Sequence, residues 1–164
     1  TFVVTPNEDP EKSHLGIDIV PTSDNTVEAN SETGGIKIYP SVYGVVTKVV
    51  DGCKPLQESE GCAKYGNYVE VKTNINLDPT EEGTAYYITR YAFLREGITV
   101  NLNDSIQRGF IGPGISNTVI GKMGNSGLSK DTHLHFEIKR GVKQEGKIIE
   151  HYLNPTEFLP RTRQ

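Results

Sequence analysis

Three of the four histidines in this 164-residue chain fall inside two short clusters of metal-binding residue types. The first is His14-Leu15-Gly16-Ile17-Asp18, and the second is His133-Leu134-His135-Phe136-Glu137-Ile138. Zinc takes imidazole nitrogen and carboxylate oxygen, and a catalytic zinc site uses three protein ligands with the fourth position open. His14, Asp18 and one of the two later histidines would supply that set. The other histidine would then be free to move protons. A lone pair of histidines two residues apart is weak ground for a metal, since any alternating strand can present one by chance. Two such clusters in a histidine-poor chain are much stronger.

These residues need particular elements to bring them together. Leu134, Phe136 and Ile138 alternate with His133, His135 and Glu137, so this segment is expected to be a half-buried strand with its polar groups on one face. Along that strand the two histidines lie roughly 6.6 Å apart, close enough to share one site. His14 and Asp18 would lie roughly 13 Å apart on a straight strand, too far for ligands of one ion. The chain must therefore bend between them, and Gly16 is the residue expected to allow it. His151 has no such pattern around it and is expected at the surface.

With these motifs the chain resembles the M23 zinc metallopeptidases of the lysostaphin and LytM type, which cut peptide cross-bridges in bacterial cell walls. The HxGxD motif stands as His14 to Asp18. The glycine-rich turn and HLHFE stand as Ile120 to Gly127 and Thr132 to Ile138. Tyr65-Gly66-Asn67-Tyr68-Val69-Glu70-Val71 and the ending Leu153 to Leu159 match further family segments in order. The resemblance implies that His14, Asp18 and His135 bind Zn2+ and that His133 is the general base. Glu137 would orient a ligand or be an exposed strand residue, and Tyr91 would donate to an oxyanion or pack. One position departs from the family. Its Tyr-x-His-Leu stands here as Tyr91-Ala92-Phe93-Leu94, so a histidine that stabilises the transition state is replaced by Phe93. The implied function is a zinc endopeptidase acting on peptidoglycan peptides with reduced activity. The alternative is a degenerate zinc-binding domain serving as a binding or regulatory module beside another envelope protein.

Composition bounds the remaining choices. The length suits one domain over residues 1–164, with 1–13 polar and irregular. Seventeen glycines, no Trp, and many Val, Ile, Thr and Tyr favour strands and turns. Strands are expected at 36–39, 42–50, 66–72, 84–94 and 133–138. Arg140 to Gly146 should turn before Ile148-Ile149, and a short helix should follow Asn154-Pro155. The fold class is all-β, with antiparallel sheets and at most one short helix. A net charge of -4 gives no basic footprint for nucleic acid. The residues at 22–36 and 105–118 read as loops bordering the cleft. Cys53 and Cys62, an even pair flanking a polar loop, are expected to form a disulfide, which fits an extracytoplasmic protein. The start at Thr1 without Met suggests a mature piece or fragment, with any signal peptide or membrane anchor upstream.

Overall fold

The computed structural model describes residues 2–6, 15–22, 35–74, 82–107 and 118–158. His14 lies outside them, as do most of the two loops expected to border the cleft. Ten strands are present among the described residues: β1 (Phe2–Pro6), β2 (Ile17–Pro21), β3 (Lys37–Ile38), β4 (Gly44–Val50), β5 (Asn67–Asn74), β6 (Gly83–Leu94), β7 (Ser105–Ile106), β8 (Gly121–Lys122), β9 (Leu134–Gln144) and β10 (Lys147–Leu153). The helical content among them is a single 3-10 turn, Pro155–Glu157, capped by the Asn154 side chain. The all-β expectation holds.

Eight strands form one antiparallel sheet in the order β1-β2-β9-β6-β5-β4-β7, with β10 also on β9. β3 and β8 form a small second sheet. Phe2–Pro6, expected to be irregular, is a strand because it pairs along its length with β2. Pairing of this kind depends on a distant partner, which local polarity does not report. The turn expected over 140–146 is likewise shorter. β9 runs on to Gln144 and makes a long hairpin with β10 through Glu145-Gly146.

The core lies on one face of the sheet, where β5 presents Val69 and Val71, β6 presents Tyr91 and β9 presents Phe136 and Ile138. Burial of each such large apolar side chain stabilises the fold by about 1.5–3 kcal/mol. The opposite face carries a second set of residues in register. Asp18, His135 and Ala92 are direct cross-strand neighbours on β2, β9 and β6. Glu137, Arg90 and Glu70 form the next row on β9, β6 and β5. Period-2 alternation therefore puts hydrophobic residues into the core and a polar row onto the other side.

The disulfide loop and the glycine-rich turn are tied to the ends of β5 and β6. Cys53 and Cys62 are joined in a disulfide, as expected. Asn67 is fully buried, accepts from Cys53 N at 2.7 Å, and donates to Cys53 O at 3.0 Å and Leu94 O at 3.1 Å. The Ser126 hydroxyl accepts from Asn67 N and donates to Leu94 O, fixing the glycine-rich turn against β5 and β6. Gly127, at φ +66, lets that turn pass so close that a Cβ would lie 2.4 Å from Cys62 O. Replacing both cysteines by alanine should lower stability by about 2–3 kcal/mol in the loop-entropy account. Denaturant midpoints measure this, and an unchanged midpoint would show that the ring adds no constraint.

Candidate functional site

Strand pairing places Asp18 beside His135, and their side chains meet with Oδ1 2.8 Å from Nδ1. Gly16 stands at a bend just before β2. Its φ is not positive, so glycine is required there by crowding. A Cβ at this position would lie 2.5 Å from Phe136 O, 2.9 Å from Glu137 Cγ and 3.1 Å from His135 Cε1. Chain passage over β9, more than free rotation, accounts for the glycine in HxGxD.

His133 precedes β9, bridged to Gly124 through its backbone N–H. Its Nε2 lies 3.6 Å from Asp18 Oδ1. Its Nδ1 lies 2.9 Å from the Asp131 carbonyl and 3.2 Å from the Ser129 hydroxyl oxygen. That hydroxyl donates its own hydrogen to Asp131 O at 2.7 Å. Both atoms facing Nδ1 therefore accept, so Nδ1 carries a proton, and in the neutral ring the lone pair belongs to Nε2, on the side of Asp18. The structure thus brings Asp18, His133 and His135 together.

Phe93 lies across from these histidines, its ring 4.9 Å from that of His133 and 5.8 Å from that of His135. Tyr91 lies on the other face, although strict alternation would give the two residues the same side. The register explains the difference. Val69 pairs Tyr91 while Asn67 pairs Leu94, so β6 has one extra residue at this point. Phe93 takes up the bulge at φ +59, a left-handed conformation uncommon outside glycine. Such a conformation costs of order 1–3 kcal/mol and clusters at functional sites. Tyr91 packs on Phe136, and its hydroxyl meets Ser41, so of its two expected roles the structure supports packing.

Glu137 is not an exposed strand glutamate. It is 1% exposed, because Tyr65 and Arg90 cover the polar face of β9 there. Its Oε1 accepts from Tyr65 OH at 2.9 Å and faces His135 Nε2 at 3.2 Å. Its Oε2 accepts from Arg90 Nη1 at 2.5 Å. The expectation of a half-buried strand thus falls short, since His135 and Glu137 are as buried as Leu134 and Phe136. Tyr65, Arg90 and Glu70 gave no sequence signal beyond the motif around Tyr65.

Burial alone would push the His135 pKa down, but Asp18 and Glu137 together hold it above the ordinary value. Burial would raise that of Glu137, yet His135, Arg90 and Tyr65 hold it below the carboxylate range. A raised histidine pKa stabilises the fold fully below about 6.5 and ceases to do so as pH climbs through the higher folded value. A lowered carboxyl pKa stabilises it above about 4.3 and ceases to do so as pH falls through the lower folded value. Chelator-treated protein should therefore be most stable between roughly pH 4.3 and 6.5. Denaturant midpoints across pH measure this, and midpoints that rise from pH ~6.5 to ~9 would contradict it.

The donor set suits zinc. Tetrahedral bonds of about 2.0–2.2 Å put ligand atoms about 3.3–3.6 Å apart. The one pair of expected ligands among the described residues, Asp18 Oδ1 and His135 Nδ1, stands 2.8 Å apart, so the two side chains would separate by under ~1 Å to share an ion. Among the described residues no group of three or more His, Cys, Asp or Glu is arranged to hold a metal ion. The third expected ligand, His14, lies outside those residues.

No protein-family model and no curated protein matches the chain. Solved structures do. The catalytic domain of the prophage-encoded M23 protein EnpA from Enterococcus faecalis aligns at TM-score 0.55 and 20% identity, covering 94% of this chain and 89% of that one. The catalytic domain of the antimicrobial peptidase lysostaphin from Staphylococcus simulans aligns at 0.55 and 16% identity, with 96% and 91% covered. LytU aligns at 0.53 and 19% identity, with 96% and 80% covered. At these identities the likeness concerns architecture, and the chain has the LytM/lysostaphin-like fold.

Proposed function

We propose that the chain is a zinc-dependent endopeptidase that hydrolyses peptide cross-links of bacterial peptidoglycan, slowed by Phe93. The observation that carries this reading is the convergence of Asp18, His133 and His135 on one point of a LytM/lysostaphin-like sheet. Asp18, His135 and His14 would hold the metal, His14 by its place in the HxGxD motif. When bound, zinc would polarise the scissile carbonyl and lower the pKa of a water in the open position.

The rest of the chemistry belongs to the chain's own residues. His133 would take the proton of the attacking water at Nε2 and deliver it to the leaving amine. The Asp131 carbonyl and Ser129 hydroxyl fix the tautomer that this role needs. Phe93 presents an aromatic ring where a hydrogen-bond donor to the developing oxyanion would have to stand. Absence of one such donor typically costs about 10²- to 10³-fold in rate. The protein named an antimicrobial peptidase, lysostaphin, supports a peptidase on this fold. The disulfide supports an extracytoplasmic setting.

Phe93 also favours a second reading, in which zinc is structural and the domain regulates or binds an envelope partner. The complete His133 environment weighs against it, since three ligands hold a metal without a base. Metal analysis should find about one zinc per chain, lost in His14→Ala, Asp18→Ala and His135→Ala and largely kept in His133→Ala. Equal loss in all four variants would show that the roles of His133 and His135 are misassigned. Release of new amino termini from peptidoglycan tests the activity itself.

A further inference from the structure

Behind His135 lies a buried ionic row that the chemistry of proton transfer does not use. Arg90 donates from Nε and Nη2 to Glu70 Oε1, at 2.9 and 2.5 Å, and from Nη1 to Glu137 Oε2 at 2.5 Å. The side chains of Glu70, Arg90 and Glu137 are 12%, 8% and 1% exposed. The Arg90 guanidinium lies 4.2 Å from the Tyr65 ring and 5.4 Å from the Tyr68 ring. We propose that Glu70 and Arg90 are positioning residues for His135, acting through Glu137 to keep its Nδ1 aimed at Asp18.

Stability alone is a poor reason for three buried charges. Well-packed apolar residues of similar volume often do as well or better, because taking ions out of water is costly. What this row does supply is geometry. Arg90 occupies Oε2 of Glu137, which leaves Oε1 for Tyr65 OH and His135 Nε2. The imidazole cannot turn over without giving up that contact, so Nδ1 stays toward Asp18. A bound metal would then meet a ligand already oriented. Ligating histidines commonly donate their other N–H to a carboxylate, and loss of that partner typically weakens metal binding about 10- to 100-fold. Here the carboxylate is itself clamped by Arg90, and Arg90 by Glu70. Strand register makes this possible, since the three residues are direct neighbours across β5, β6 and β9.

This inference rests on the reading of Asp18 and His135 as zinc ligands, and the test separates the two. Zinc dissociation constants, from competition with a chromophoric chelator, are compared for the wild type, Glu137→Gln, Arg90→Met and the double variant. Each single variant should bind zinc about 10- to 100-fold more weakly. The double variant should be no weaker than the worse single, because Arg90 acts through Glu137. Glu70→Gln, which keeps the accepting oxygen, should retain most of the affinity lost in Glu70→Leu. Nitrogen-edited NMR gives a second readout, the His135 Nε2–H signal, expected downfield and slowly exchanging in the wild type and moved or lost in Arg90→Met.

Folded variants that bind zinc within about twofold of wild type, or single losses that multiply in the double variant, would overturn the proposal. If Arg90→Met does not fold, Arg90→Lys decides. It keeps a charge in the row but loses the guanidinium that bonds Glu70 and Glu137 at once, and an unmoved Nε2–H signal with unchanged zinc affinity would overturn the proposal. Wild-type protein that takes up no zinc would defeat the ligand reading. The Nε2–H signal would then still decide whether the row positions His135.

Discussion

Replacing His133 by alanine should lower peptide-bond cleavage by about 10²- to 10⁴-fold while about one zinc per chain remains bound. His133 is the histidine whose Nδ1 is held from behind by Asp131 and Ser129, with Nε2 at 3.6 Å from Asp18 Oδ1, beyond hydrogen-bond distance. His135 is differently placed, with each nitrogen against a carboxylate, so it has no lone pair free for a substrate proton. Alanine at 133 removes the proton acceptor but leaves the Asp18–His135 pair in place. The loss should fall mainly on kcat, because proton transfer belongs to the transition state. His133→Ala protein that cleaves as fast as wild type would show that the two histidines have been given each other's roles.

Phe93→His is expected to act in the opposite direction, raising kcat by roughly 10-fold or more. The ring at position 93 faces His133 and His135 across the site, so an imidazole there would stand where a donor to the oxyanion is needed. The backbone tolerates the change. Histidine is several-fold enriched among non-glycine residues with positive φ, and position 93 sits at φ +59. The Phe93 backbone N–H also donates to Tyr65 O, a bond the substitution keeps. A full donor's gain is not expected, because the neighbours of position 93 are packed around a phenylalanine ring and are not arranged to orient an imidazole. Steady-state kinetics with a defined cross-bridge peptide measure the effect. A folded, zinc-loaded Phe93→His variant with unchanged kcat would remove Phe93 from the account of slow catalysis.

Much of this site was legible in the sequence because its residues obey short-range periods. The alternation through His133 to Ile138 set the two faces of β9, and the HxGxD motif marked Asp18 as the partner of that strand. Phe93 shows where the period fails. Strict alternation would send it into the core with Tyr91, and one extra residue in β6 turns it to the other side. That bulge depends on how β5 and β6 pair, which neither strand states alone. Glu137 was hidden for a related reason. Its burial comes from Tyr65 and Arg90, 72 and 47 residues away, closing over a face that local pattern marks as polar. The Glu70–Arg90–Glu137 row needs the register of three strands at once. Gly16 was found through its motif, but its physical cause is the backbone of β9 passing beneath it.

The proposed reaction is cleavage of peptide bonds in peptidoglycan with a zinc ion that Asp18 and His135 would help to hold. The most direct measurement is the appearance of new amino termini when zinc-loaded protein is incubated with purified peptidoglycan of several cross-bridge types. At least one wall type should yield new termini at a slow, steady rate. Chelator should abolish that release, and added zinc should restore it. Fully zinc-loaded, folded protein that releases no new termini from any wall type would contradict the account.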